Sequence, residues 1–193
     1  MRIHELTGSA LHDTEKIIAG VRADQLDAAT PCTDWTVRDL LAHIVAVNTK
    51  YTQIALGGPW ESGVCAVDLG DDPAQAYRDT IEPLLTAWKQ PGALQRHLDS
   101  PAGRKPAEFA LWVHLRETLV HGWDLAAATR QRACLDNAVI VASLVHARQL
   151  DPAPTARPAG LGFANAVDAP TGAQPIIQLA AFFGRDVSTW NWT

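Results

Sequence analysis

Three polar side chains stand on one face of a largely apolar segment, residues 109–125. His114, Glu117 and His121 are spaced by three and four residues, which places them on one side of a helix. The other side chains are apolar on nearly every face, a composition typical of a buried helix. Buried imidazoles and carboxylates persist only when they are hydrogen-bonded, paired or bound to a metal. The pattern therefore makes a metal site the hypothesis to test.

His43 is a further candidate ligand, from a different predicted helix. It lies at the edge of the apolar stripe of residues 36–56, from where it can face a neighbouring helix across a cleft. Two imidazole nitrogens and one carboxylate oxygen, with a fourth position open, make a catalytic zinc arrangement, and other divalent metals accept the same ligands. A single half-buried histidine is more often a hydrogen-bonded core residue, and Glu117 with His121 can form a simple helix pair. Spacing and burial leave these alternatives open.

The elements that must position these residues are helices. Apolar periodicity with capping and breaking signals predicts helices at residues 4–22, 36–56, 73–90, 106–129, 136–149 and 175–183. Thr36 and Asp39 form a capping-box pattern at the second helix, and Pro83 should kink or divide the third. Residues 92–105 are expected to be a polar, irregular connection, in which a strand-like piece is an open alternative.

The predicted fold class is all-α, an antiparallel helical bundle with short connections, an extra helix and an irregular C-terminal tail. Residues 1–150 are assigned to the bundle. Residues 151–193 are assigned to a proline- and glycine-rich extension with a short terminal helix, packed on the bundle.

Composition limits the possible partners and the compartment. The chain has 193 residues, 47% of them hydrophobic, which indicates a folded globular protein. A net charge of −5 without a basic stripe argues against nucleic acid. We expect no signal peptide and no membrane span. The three cysteines are too scattered for a disulfide framework, which favours the cytoplasm.

Two segments carry a family resemblance: residues 30–43, TPCTDWTVRDLLAH, and residues 117–126, ETLVHGWDLA. They resemble the signature regions of the mycothiol-dependent maleylpyruvate isomerase-like proteins, which belong to the DinB-like superfamily of four-helix bundles. The ending at residues 182–186, FFGRD, resembles the close of the short members of that group. The resemblance implies a DinB-like antiparallel four-helix bundle.

It also implies a divalent metal, usually zinc, held by His43, Glu117 and His121. His114 has no counterpart in that triad and is expected to be a satisfied core residue. This sequence departs from the family at Arg130, where glycine is frequent, and at Val187, where proline is usual. The isomerase also carries an additional C-terminal domain that helps to form its substrate site, beyond the length of this sequence. The fold and the metal site are therefore better supported by the resemblance than the isomerase activity.

The functional hypothesis is thiol S-transfer or isomerisation, in which a metal-activated thiolate, such as that of mycothiol, attacks an electrophilic substrate. Arg185 is the candidate for binding an anionic cofactor or substrate, with a structural ion pair as the alternative. Asp124 can accept a hydrogen bond from His121, although a surface position is favoured. The alternative functions are a non-catalytic metal-binding module, a metal-free dimerisation unit and a metal-dependent hydrolase. A homodimer is plausible for such a bundle.

Cysteine and tryptophan side chains are assigned to packing. Cys32 precedes a helix N-terminus, where a thiolate is stabilised, but a packed turn cysteine is the favoured interpretation. Four tryptophans at core-like helical positions are interpreted as packing residues in preference to an aromatic ligand cage: Trp35, Trp88, Trp112 and Trp123. Trp190 and Trp192 are expected to cover the cleft or an interface.

Overall fold

The computed structural model describes residues 1–60, 67–100, 103–151, 154–155, 157 and 163–190. The helices are α1 (Ile3–Ala19), α2 (Val37–Ala55), α3 (Pro73–Lys89), α4 (Ala107–Thr129), α5 (Asn137–Leu150) and α6 (Pro175–Phe182), with a short 3₁₀ helix at Ala23–Gln25. Two strands, β1 (His97–Ser100) and β2 (Gly103–Pro106), pair antiparallel. All six predicted helices are present within a few residues of their expected bounds.

The helices form a bundle around α4. Helices α1 and α2 each pack against both α3 and α4, which confirms the predicted helical-bundle fold. Helices α5 and α6 pack on α4 and on each other. Leu111, Leu115 and Leu119 of α4 are fully buried. No helix in the described parts of the chain is long and apolar enough to cross a membrane.

Close contact between α1 and α4 depends on Gly122. A β-carbon at this position would lie 2.8 Å from the Thr14 hydroxyl oxygen of α1, so a larger side chain would push the two helices apart. Helix α4 ends at Arg130, which adopts a left-handed conformation with φ of 56°. Glycine adopts this conformation without the steric cost of a side chain, which explains why the family often has glycine here.

Helix α2 begins as its sequence predicts. The Asp39 amide donates to the Thr36 hydroxyl, and the Thr36 amide donates to the Asp39 carboxylate at 3.0 Å. The turn that precedes α2 is closed by two backbone hydrogen bonds. The Val37 amide donates to the Ala28 carbonyl, and the Thr30 amide donates to the Trp35 carbonyl. This ordered turn places Cys32 and Trp35 beside the first helical turns of α2.

Two local alternatives left by the sequence are decided by the structure. The connection before α4 contains the strand-like piece, because His97 and Pro106 lie opposite each other in a short antiparallel pair. Helix α3 runs continuously over Pro73–Lys89, so Pro83 does not divide it. Pro83 is on the exposed side of the helix, where water can bond the carbonyl that the proline nitrogen leaves unpaired.

Candidate metal centre

The three predicted ligands converge between α2 and α4. His121 Nε2 lies 3.1 Å from Glu117 Oε2, and His43 Nε2 lies 3.6 Å from the same oxygen. The centroids of the two imidazole rings are 5.0 Å apart. One potential ligand atom from each residue lies within 4.8 Å of the other two. Residues from two distant segments of the chain therefore form one compact group.

The donor atoms of this group fit a divalent metal. His43 Nε2 is buried and has no hydrogen-bond partner among the described residues, although it faces the Glu117 carboxylate. A cation between these groups would give that nitrogen a partner. Two imidazole nitrogens and a carboxylate oxygen form a common catalytic zinc donor set. The side chains of His43 and Glu117 remain 19% and 17% exposed, so a small molecule can approach from solvent.

Glu117 carries the negative charge of the group. Burial disfavours its ionised form, but hydrogen bonding and the positive potential of His121 and His43 outweigh burial and lower the pKa of the Glu117 carboxyl. Burial also disfavours the imidazolium of His121, yet the carboxylates of Asp124 and Glu117 raise the pKa of His121. Without a metal, the carboxylates therefore favour a protonated His121, and the histidines favour an ionised Glu117.

Asp124 lies behind His121 and is fully buried, so the favoured expectation of a surface position was wrong. Its Oδ2 accepts a hydrogen bond from His121 Nδ1 at 2.9 Å. Arg185 donates to the same carboxylate through Nε and Nη2, at 3.0 and 2.9 Å. The structure thus shows the ion pair that the sequence left as an alternative. The role of Arg185 in binding a cofactor stays a prediction.

Cys32 lies on the same side of the centre as Asp124. The Cys32 sulfur lies within 4.8 Å of one ligand atom of His121 and one of Asp124. The sequence does not indicate this proximity, because the residues are far apart along the chain. Burial raises the pKa of the Cys32 thiol to about 11. The thiol is therefore protonated near neutral pH, which agrees with a packed turn cysteine and not with a nucleophile.

Aromatic rings flank the two histidines. The Trp35 ring centroid is 4.5 Å from that of His43, and the Phe163 centroid is 6.3 Å from that of His121. Trp35 is half-buried and packs against the core, as expected, and it also forms a wall of the site. Phe163 had no signal in the sequence, because it follows a long irregular segment.

His114 does not join the cluster. Its Nε2 hydrogen-bonds Asn48 Oδ1 at 2.8 Å, and its ring lies 4.7 Å from that of Tyr51. Burial lowers the pKa of His114 to about 4, so the ring is neutral. Its Nδ1 has no hydrogen-bond partner in the described part of the chain, so the expected core role is only half satisfied.

The other aromatic and sulfur predictions have mixed outcomes. Trp88 and Trp123 are buried as expected. Trp112 is half-buried, packs against the core as expected, and stacks on His146 with ring centroids 4.0 Å apart. Trp190 packs against the edge of the core. Cys65 and Trp192 lie outside the described residues.

Comparison with known proteins adds a family to this geometry. Residues 8–126 match the sequence profile of the mycothiol maleylpyruvate isomerase N-terminal domain. An uncharacterized protein of Mycobacterium tuberculosis, found in strains CDC 1551 and H37Rv, is 34% identical over 172 residues, which cover 89% of this chain and 91% of the relative.

Solved structures show the same fold. The crystal structure of the mycothiol-dependent maleylpyruvate isomerase matches with a TM-score of 0.56 and 17% identity, over 78% of this chain and 70% of that one. A mutant of that enzyme matches over the same shares, with a TM-score of 0.53 and 18% identity. At this level of identity the likeness establishes the helical fold and leaves the chemistry to the site itself.

Proposed function

The chain belongs to the mycothiol maleylpyruvate isomerase N-terminal domain family, and from that premise we propose that it is a divalent-metal-dependent thiol S-transferase or isomerase. His43, Glu117 and His121 would hold the metal, with zinc as the first candidate, and a small-molecule thiol such as mycothiol would be the cofactor. The supporting observation is the convergence of these ligand atoms within 4.8 Å.

When bound, a divalent metal with an open coordination position supplies Lewis acidity, which lowers the pKa of a thiol near it. The protein's own groups prepare the site for that role. His43 and His121 direct their Nε2 atoms toward the Glu117 carboxylate, which is ionised and supplies the negative charge. Asp124 holds the opposite edge of the His121 ring, and Trp35 and Phe163 limit the access of water.

Arg116 supports an electrophilic substrate with an anionic group. Its guanidinium has no hydrogen bond or ion pair within the described residues and lies 5.8 Å from the Phe183 ring centroid. Burial lowers the pKa of Arg116, which reflects the cost of keeping this cation away from water. Phe183 packs on Phe163, whose ring stacks on His121, so the cation lies on the Phe163 side of the site. A substrate carboxylate would give Arg116 the partner that it lacks.

Metal analysis tests the first part of the proposal. Protein purified without chelator or histidine tag should contain about one equivalent of divalent metal by plasma mass spectrometry. His43→Ala and His121→Ala should lose it, whereas His12→Ala, which changes an exposed histidine on α1, should keep it. A wild-type protein that stays empty after refilling with zinc would contradict the proposal and leave a metal-free bundle.

Turnover tests the second part. The metal-loaded protein should convert an electrophile such as an activated alkene only when a low-molecular-weight thiol is present, with the thiol consumed by a transferase and regenerated by an isomerase. The rate should fall on metal removal and recover on refilling. Bound metal without any thiol-dependent turnover would identify a non-catalytic metal-binding module. Hydrolysis without added thiol would identify a hydrolase. Light scattering and cell fractionation test the proposed homodimer and cytoplasmic location.

A further inference from the structure

A buried chain of charged groups connects the C-terminal segment to the candidate metal centre. Arg185 Nη2 and Nε donate to the Asp124 carboxylate, and Asp124 Oδ2 in turn accepts from His121 Nδ1 at 2.9 Å. The side chains of Asp124 and Arg185 are 0% and 7% exposed. Arg185 also lies outside residues 8–126, the part of the chain that matches the family profile. A residue beyond the family domain is therefore two hydrogen bonds from a candidate ligand.

The local backbone fixes the position of Arg185. Gly184, just after α6, has φ of 80°, and a β-carbon there would lie 2.7 Å from the Asn165 carbonyl oxygen. The Arg185 amide donates to the Ala180 carbonyl, which closes the end of α6. Its Nη1 donates to the Phe183 carbonyl at 3.2 Å. These contacts restrict the rotamers of the Arg185 side chain independently of its ion pair with Asp124.

Asp124 needs this cation because its carboxylate is removed from water. A buried carboxylate without a partner either takes up a proton or destabilises the fold. The Arg185 guanidinium, which has only donors, contacts both Asp124 oxygens, at 3.0 and 2.9 Å. Both oxygens therefore act as acceptors, and Oδ2 also accepts the Nδ1 proton of His121 at 2.9 Å. This bond fixes the His121 ring with its Nε2 edge toward Glu117, 3.1 Å away, on the side where a metal would bind.

We propose that Arg185 is a positioning residue, which holds Asp124 so that the His121 ring keeps its Nε2 edge directed toward the metal position. The metal in this statement rests on the proposed function, whereas the contact of Arg185 with Asp124 and His121 is a property of the metal-free fold. The C-terminal segment then acts as a part of the metal centre. It follows that changes in this segment alter metal affinity without touching a ligand.

Zinc affinity, measured by competition with a chromophoric chelator, tests the proposal. Arg185→Gln should weaken zinc binding about 10-fold, the lower end of the range for outer-shell partners. Arg185→Lys, which keeps the charge, should recover part of that loss. The matched control is Arg157→Gln, because Arg157 is nearly as buried as Arg185, forms an ion pair with Asp151 and also belongs to the C-terminal segment. An equal loss in Arg157→Gln would overturn the proposal, since the effect would then come from general loosening of the segment.

A double-mutant cycle tests whether Arg185 acts through Asp124. Asp124→Asn should weaken zinc binding about 10- to 100-fold. Adding Arg185→Gln to that variant should cause no further loss, because the group that Arg185 holds is already changed. The double variant also removes both charges of the buried pair, so it avoids the unpaired charge that each single change leaves. A full additional 10-fold loss would show that Arg185 acts by another route and would contradict the proposal.

Nuclear magnetic resonance supplies a measurement that needs no metal. In the metal-free wild type near neutral pH, the His121 Nδ1 proton should be protected from exchange, and Arg185→Gln should speed its exchange while Arg157→Gln should not. An unprotected Nδ1 proton in the wild type would overturn the inference. If the wild type binds no zinc but shows the protected proton, the proposed function fails while the positioning role of Arg185 stands. An Arg185→Gln effect on thiol affinity alone would instead assign Arg185 to cofactor binding.

Discussion

The two histidines on the polar stripe of α4 lie in opposite chemical environments. His121 stands between the carboxylates of Glu117 and Asp124, which raise its pKa, and faces His43 at the open edge of the bundle. His114, two helical turns earlier, contacts the Asn48 amide and the Tyr51 ring. Burial there lowers the pKa of the ring to about 4. The same residue type on the same helix face therefore lies among carboxylates at one end, and is neutral and, among the described residues, without a carboxylate contact at the other.

This difference separates the candidate ligand His121 from a buried histidine that is not a candidate. Both histidines are buried, and both use one ring nitrogen in a hydrogen bond to a side-chain oxygen. At His121 the second nitrogen converges with Glu117 and His43, whereas at His114 the second nitrogen has no partner in the described part of the chain. Convergent ligands and counter-charge, and not burial alone, separate the two ends.

The largest effect should come from removing the charge at the His121 end. Glu117→Gln keeps the size of the side chain but removes the anionic ligand, so zinc affinity should fall by at least about 100-fold, more than for an outer-shell partner. His114→Gln is the matched change at the other end and should leave zinc affinity unchanged. Chelator competition on both variants measures the two zinc affinities. A loss of zinc affinity in His114→Gln would contradict the difference between the two histidines.

The second effect concerns acid stability at the His114 end. The pKa of His114 is about 4 in the folded chain and about 6.5 in the unfolded chain, so unfolding takes up a proton as the pH falls. Its contribution to stability is full above pH about 6.5 and is lost progressively toward pH about 4, by roughly 3 kcal/mol. His114→Gln should flatten that part of the profile. Urea unfolding between these pH values measures it, and an unchanged slope would contradict the assignment of a neutral buried ring.

A third variant makes the environment of His114 more like that of His121. Asn48→Asp places a carboxylate opposite His114 and should raise the pKa of His114 above about 4, as Glu117 and Asp124 do for His121. The variant also loses the Asn48 bond to the Thr80 hydroxyl, so unfolding should cost about 1–3 kcal/mol less. Titration of the His114 ring by nuclear magnetic resonance checks the shift. A pKa that stays at about 4 would show that counter-charge does not control this difference.

The smallest effect is expected from Arg116, the residue proposed to bind an anionic substrate near the candidate metal centre. Arg116→Gln should raise KM for an anionic electrophile about 10-fold and leave kcat and zinc content nearly unchanged, since it removes binding made equally in the ground state and transition state. Arg78→Gln, a change on the opposite part of the bundle in α3, serves as the control. An equal fall in kcat with constant KM would assign Arg116 to the chemical step instead.

Local sequence signals were sufficient for the helices and insufficient for the walls of the site. The Thr36–Asp39 box and the apolar face of α4 act within a few residues, so the sequence predicts their structure directly. The family resemblance indicated the set His43, Glu117 and His121, and the packing of α2 on α4 brings these residues together. Asp124 was misjudged because its burial depends on Arg185, which reaches it from a distant segment.

Irregular segments account for the remaining differences. Trp35 and Cys32 belong to a turn whose direction is set by backbone bonds to Ala28 and Leu26, and helical periodicity cannot describe such a turn. Phe163 reaches His121 from the C-terminal segment. Side chains that approach the centre from loops could not be placed before the bundle and its tail were known.

X-ray absorption at the zinc edge tests the central claim most directly. The zinc-loaded protein should show imidazole nitrogen and carboxylate oxygen at ~2.0–2.1 Å and no sulfur, and added thiol should bring one sulfur at ~2.3 Å. Cys32→Ser should give the same spectra, because Cys32 is not one of the proposed ligands. A sulfur neighbour that is present without thiol and lost in Cys32→Ser, or a shell without two imidazoles, would contradict the assignment of His43, Glu117 and His121.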